Sequence, residues 1–202
     1  MPRLQVDVAH FIGQAQLLDA LVDESRALLP RYRKLVAEIV VLRLFDLLQA
    51  AFAAIAAKLV CGACYLDGSR SYPLVSVRSA PAAFAEMKCH GRAKSMGSLT
   101  WSKAEYVKGN LRFVLGEREH YVIYVDRNAT FIEEIRKVRN RIAHNNAGSR
   151  RGYRSVLQHR YGACPNVVTP GLLLISPRWS PMLVKEYLSK AQILVKALAK
   201  AP

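Results

Sequence analysis

Residues 139–144 read Arg-Asn-Arg-Ile-Ala-His, the run best suited to chemistry in this 202-residue chain. A histidine titrates near neutrality and can take or give a proton, and an arginine can neutralise charge building on a pentacoordinate phosphorus. Together they form a kit for phosphoryl transfer that needs no metal. RNA suits such a kit because its own 2′-hydroxyl is the nucleophile; the protein adds proton shuttling, in-line geometry and charge stabilisation. On a helix, Arg139 and His144 stand about 7.5 Å apart along the axis and about 140° apart around it, so they share a cleft only because the arginine is long. Asn140 and His144, at i and i+4, lie on one face, with Arg141 close by. One histidine is thin for both acid and base, so a two-fold dimer uniting two copies of Arg139 and His144 is expected. Spacing alone leaves a plain helix C-cap open as the role of His144.

The charge around this run supports an anionic partner. The chain carries 30 Lys and Arg against 15 Asp and Glu, a net charge of +15. Residues 1–100 hold 12 basic and 8 acidic side chains, residues 101–202 hold 18 and 7, so the excess belongs to the second half. Arg136, Lys137, Arg139, Arg141, Arg150, Arg151, Arg154 and Arg160 follow one another with no acid between 136 and 160. Arginine's planar fork suits phosphate. Arg141, Arg150, Arg151, Tyr153, Arg154, His159 and Arg160 are therefore the candidate RNA-binding residues, with a solvated basic loop as the alternative. Trp101, Tyr106 and Trp179 are expected to be core or interface aromatics rather than stacking platforms for bases.

The elements that must position these residues read as helices. A hydrophobic content of 51% with 11 Gly and 9 Pro excludes a disordered basic tail. Asp7 can cap a helix over 8–28, and a second helix over 31–60 is apolar on nearly every face, as in the middle of a bundle or at a subunit interface. There Glu38, Arg43 and Asp46 are expected to face a polar seam or pair together. Residues 62–80 read as a loop with at most a short strand at Leu74–Val77. Ser79-Ala-Pro81 opens a short helix ended by Gly91. A helix over 100–115 follows, then a β-leaning connector at Tyr121–Val125. Thr130-Phe-Ile-Glu133 is a capping box opening the motif helix, which Ile132, Ile135, Val138 and Ile142 anchor and Asn145, Asn146 and Gly148 stop. Residues 149–179 read as irregular, with Thr169-Pro-Gly171 as a turn, and Ser180-Pro181 caps a last helix to about 200. The expected fold is one all-α domain over 1–202, a bundle of about five to six helices with an irregular basic loop and room for a short β-hairpin.

Cys61-Gly-Ala-Cys64 and Cys89-His90 could together make a zinc site, but a second matched pair is missing, so no metal is expected and the thiols are expected to be free. The N-terminus lacks the apolar run of a signal peptide. The most apolar stretch, Leu47–Ala57, is short and flanked by charge, so no membrane is expected and the cytoplasm is the default location.

The run Glu134-Ile-Arg-Lys-Val-Arg139-Asn-Arg-Ile-Ala-His144-Asn resembles the signature of the HEPN superfamily (higher eukaryotes and prokaryotes nucleotide-binding), an R-N-x-x-A-H core on a helix late in an all-helical domain. The resemblance implies a metal-independent endoribonuclease without cofactor, acting as a homodimer with a composite cleft. It implies Arg139 as phosphate binder and charge stabiliser, His144 as acid and base, and Asn140 as the residue that orients them. Many similar proteins are toxins in bacterial toxin–antitoxin, anti-phage or RNA-surveillance systems, so an antitoxin protein is a possible partner. Where toxins paired with nucleotidyltransferase antitoxins carry a Tyr two residues after the His, this chain has Asn146. Two other roles stay open: a non-catalytic HEPN-type module that binds RNA or protein, and a basic helical protein that docks on nucleic acid by general charge.

Overall fold

Apolar side chains recurring every three or four residues give helices throughout the computed structural model, which describes residues 3–165 and 167–200. The fold is all-α, and the described residues contain nine α-helices rather than five or six. They are α1 (Leu4–Glu24), α2 (Pro30–Val60), α3 (Ala80–Cys89), α4 (Ala104–Leu111), α5 (His120–Arg127), α6 (Ala129–Ala143), α7 (Ala147–Tyr161), α8 (Pro170–Ile175) and α9 (Leu183–Leu198). A 3-10 turn, Ser25–Ala27, separates α1 from α2.

The chain divides into two compact units. The first takes in residues up to Ile12, Leu48–Ile132 and the chain from Ile193. Phe11, Phe52, Ile55, Leu59, Met87 and Leu111 are buried in it, and α4 packs against α3 and α5. Polar ties join its pieces: the Tyr121 hydroxyl donates to the Phe52 carbonyl at 2.9 Å, and Lys58 pairs with Asp7 at 2.6 Å. Asp7 is thus an ion-pair partner inside α1 and not its cap. Glu119 accepts from the Tyr65 hydroxyl and from the Tyr72 amide, which anchors the loop after α2. Two isolated bridges, Cys64 with Arg70 and Pro73 with Leu115, are all the β-structure there; Leu74–Val77 is not a strand.

The second unit is Gly13–Leu47 with Glu133–Gln192. Its core holds Val40, Val41, Leu44, Phe45, Ile135, Val138, Leu173, Leu174 and Tyr187. Arg160 is clasped by Glu134 (2.7 Å) and Glu186 (3.0 Å), and Tyr187 donates to the same Glu134 oxygen at 2.6 Å, so α6, α7 and α9 are pinned at one point. Burial pulls the Arg160 guanidinium down, but the hydrogen bonds to Glu186 and Glu134 outweigh it and hold its pKa above the ordinary value. Lys185 binds Asp19 (3.1 Å) and Asp23 (2.6 Å), tying α9 to α1. Gly171 presses on α2: its amide donates to Glu38 at 2.8 Å, and a Cβ there would lie 2.8 Å from the Lys34 Cβ.

Four further expectations change. Residues 149–161 are helical, because Tyr153, Val156 and Leu157 form a buried i, i+3, i+4 stripe among the arginines. The expected hairpin is α8, where the Thr169 hydroxyl accepts from the Leu172 amide and Pro170 takes the first position. The β-leaning connector is α5, whose Tyr121 and Val125, one turn apart, are both fully buried; packing overrides local preference. Thr130 lies inside α6 rather than capping it. By length and composition α2 meets the test for a membrane-crossing helix, mean hydropathy 2.0 over its most apolar window, 56% of which is buried within the protein.

Candidate active site

α6 supplies the site because its apolar residues Ile135 and Val138 lock one face into the core of the second unit and leave other faces to the polar side chains. The helix ends at Ala143, and the His144 amide still donates to the Asn140 carbonyl at 2.9 Å, fixing the histidine one turn above Asn140. After Asn145, Asn146 caps α7 by accepting from the Ser149 amide at 2.8 Å. The Ser149 hydroxyl donates to the His144 carbonyl at 2.7 Å. The α6–α7 corner is therefore tight, and His144 stands exposed on it.

A cleft of about 230 Å³ opens beside this corner. Arg136, Lys137, Asn140 and His144 line it from α6; Asn146, Gly148, Ser149 and Gly152 line it from α7. Arg136, Asn140 and His144 follow at i, i+4 and i+8, one row on one helix face. Lys137 crosses the cleft and donates to the Ser155 hydroxyl at 2.9 Å. The N-terminus of α7 borders the same cleft and its dipole favours an anion, although the Ser149 and Arg150 amides are already taken by Asn146. Part of the positive charge is compensated, since Arg136 is forked onto Glu133 with two contacts of 2.7 Å.

Arg139 is placed elsewhere. It does not line the cleft; its guanidinium lies 5.9 Å over the Phe45 ring and 3.8 Å from the Asp46 carboxylate, both on α2. Its Nε is buried without a hydrogen-bond partner. The one link to the cleft is Nη1 donating to the Asn140 Oδ1 at 3.5 Å, long for a hydrogen bond. Within one copy, Arg139 and His144 are thus not brought together, because 140° of helix rotation turns the arginine onto α2 and its length does not bring it back. Arg136 and Lys137 hold the place the sequence assigned to Arg139. The i, i+4, i+8 row of Arg136, Asn140 and His144, with Lys137 at i+3 and i+7 from the last two, is the signal that locates them.

The expected RNA-binding residues separate into groups. Arg141, Arg150, Tyr153 and Arg154 line a second, smaller pocket of about 150 Å³. Arg151 and His159 are exposed on α7. Arg160 is engaged by two carboxylates and is not free for phosphate. Tyr153 is buried with its hydroxyl donating to the Val168 carbonyl at 3.1 Å, so it forms a wall rather than a stacking platform. Glu38 binds Gly171 and Asp46 faces Arg139, so the polar seam expected within α2 is shared out to other helices. Trp101 is buried; Trp179 stacks edge-on with Tyr161; Tyr106 is exposed. His90 pairs with Glu86 at 3.0 Å and His120 bonds the Ala197 carbonyl at 2.9 Å. Among the described residues no three His, Cys, Asp or Glu side chains come together as a metal site. Compared with family models, curated proteins and solved structures, the chain finds no match.

Proposed function

We propose that this chain is a metal-independent endoribonuclease of HEPN type that acts on RNA in the cytoplasm, with His144 as its proton-transfer residue. The observation that carries this is the α6–α7 cleft, where one exposed histidine, an amide side chain, two cations and a helix N-terminus converge. His144 removes the proton of a 2′-hydroxyl as that oxygen bonds to phosphorus. The bond from phosphorus to the 5′-oxygen breaks, and the leaving oxygen takes a proton. The products are a 2′,3′-cyclic phosphate, which can open to a 3′-phosphate, and a 5′-hydroxyl end. Lys137 stabilises the extra charge on the phosphoryl oxygens, Arg136 adds to the field from its fork on the single carboxylate of Glu133, and Asn140 orients the group between His144 and Arg139.

One imidazole cannot act as base and acid within a single step, so the proposal includes a homodimer in which a second His144 protonates the leaving oxygen. An exposed apolar face supports it: Tyr32, Leu35 and Ile39, each 45–53% exposed, run along the start of α2 at helical spacing, with exposed Leu28 just before the helix. The biological setting proposed is that of a toxin or defence ribonuclease held in check by an antitoxin protein.

Purified protein should cut single-stranded RNA in EDTA, and His144→Ala should lower the rate by about 10²–10⁴ while RNA binding stays. Undiminished cutting by folded His144→Ala protein would overturn the assignment. A non-catalytic RNA- or protein-binding module is the second proposal, favoured by the turning of Arg139 onto Asp46. Salt-sensitive binding with no turnover would select it.

A further inference from the structure

Beside the His144 cleft, unit two holds a second cationic cavity with a different construction. Arg141 comes from the end of α6, and Arg150 and Arg154, one turn apart, come from α7; the three converge on a pocket of about 150 Å³. Its other wall is apolar, formed by the buried Tyr153 ring with Val168 and Pro170. Among the described residues no carboxylate comes within ion-pair distance of any of the three. Glu38, which acts on Tyr153 from nearby, is engaged by the Gly171 amide. Arg141 keeps one contact, donating to the Asn145 Oδ1 at 2.8 Å. Burial pushes the Tyr153 phenol up, so the wall stays neutral and offers no competing anion.

Three guanidiniums without a carboxylate repel one another unless an anion sits between them, and planar forks bind phosphoryl oxygens in pairs. We infer that this pocket is a second phosphate subsite, holding one phosphoryl group of the RNA strand while another part of that strand lies in the His144 cleft. The identity of the strand rests on the ribonuclease proposal; the pocket's preference for a phosphoryl group rests on its own three arginines. The group is either a phosphodiester within the strand or a phosphomonoester at its end.

A 2′-O-methyl oligoribonucleotide has no nucleophile and cannot be cut, so its binding tests the pocket separately from catalysis. In an anisotropy titration Arg150→Gln/Arg154→Gln should weaken binding about tenfold and make the plot of log affinity against log salt shallower by about one unit. Lys94→Gln/Lys196→Gln, which removes two exposed charges outside the pocket, should change the slope by less than half of that. Equal losses in the two double variants would overturn the subsite and leave only general charge. In unmodified protein, the same oligonucleotide should slow alkylation of Cys164, an exposed thiol on the pocket rim, read by mass spectrometry. No protection at saturating oligonucleotide would also overturn it. A tighter fit for 5′-phosphorylated than for 5′-hydroxyl strands assigns the terminal group, and equal binding assigns the internal one. Retained cutting by His144→Ala would sink the ribonuclease proposal without touching these results.

Discussion

At the scale of single residues, Lys137 and Arg139 contrast most usefully. Both are cations on α6, two positions apart, yet Lys137 reaches across the His144 cleft to Ser155 and Arg139 lies on Phe45 and Asp46. If charge stabilisation is local to one copy, Lys137→Ala should cost about 10²–10³ in kcat, and Arg139→Ala should cost less than about tenfold. Arg139→Lys should then restore what Arg139→Ala loses, since a positioning residue needs its charge near Asn140 rather than a fork on phosphate. The opposite order in single-turnover rates would show that Arg139 acts on the phosphate, as the HEPN resemblance implies, with a second copy completing the cleft. The motif residues were legible from their types and spacing. Their directions were not, because a side chain's direction depends on which helix it meets.

At the scale of elements, α8 and the Arg160 cluster hold the site's supports in place. Gly171 has no room for a methyl: Lys34 Cβ, Glu38 Oε1 and the Lys34 carbonyl all stand within about 3 Å of where it would be. Gly171→Ala should therefore destabilise the protein by about 2–4 kcal/mol through overpacking and a weakened amide–carboxylate bond. In thermal unfolding this should read as a fall of about 5–15 °C in Tm. Glu186 sets an acid limit. Burial pushes its carboxyl up, but hydrogen bonds from Lys190 and Arg160 outweigh that and hold its pKa below the usual carboxylate range. A depressed carboxyl stabilises the fold above its unfolded pKa of about 4.3, and that stability drains as pH falls through the folded value. Wild type should thus exceed Glu186→Gln by about 1–3 kcal/mol at pH 7 in denaturant titrations, with the two converging by about pH 3. An unchanged gap at pH 3 would remove Glu186 as the source.

The elements that were legible in sequence are those with strong apolar periodicity or clear caps. α2, α3 and α9 stand close to where their patterns place them, and Ser79 caps α3 as expected. α5 and α7 were hidden for opposite reasons. α5 is short and made of β-branched and aromatic residues, and only the burial of Tyr121 and Val125 makes it helical. α7 has its three apolar anchors diluted by arginines, so composition outweighed period.

For the molecule as a whole, the net charge of +15 and the apolar face on α2 pull toward different partners. A positive charge of this size attracts polyanions such as the proposed RNA at long range, while the face of Tyr32, Leu35 and Ile39 is where the proposed second copy would dock. Leu35→Glu/Ile39→Glu should convert a dimer to monomer in light scattering and take most of the cutting with it, while leaving the circular dichroism unchanged. A monomeric wild type with full activity would remove the homodimer from the proposal.

The sequence by itself determined the all-α class, the concentration of cations after residue 135, and the i, i+4 placement of Asn140 and His144 on one helix face. These follow from composition and from periodicity along one chain, which are local properties. Only the tertiary structure decided that α7 folds back beside α6, that Lys137 and Arg136 rather than Arg139 accompany His144, and that Arg160 serves carboxylates instead of RNA. Those outcomes depend on which distant helix each side chain meets, since packing against α2, α7 and α9 selects one rotamer and one partner from many that local spacing allows equally.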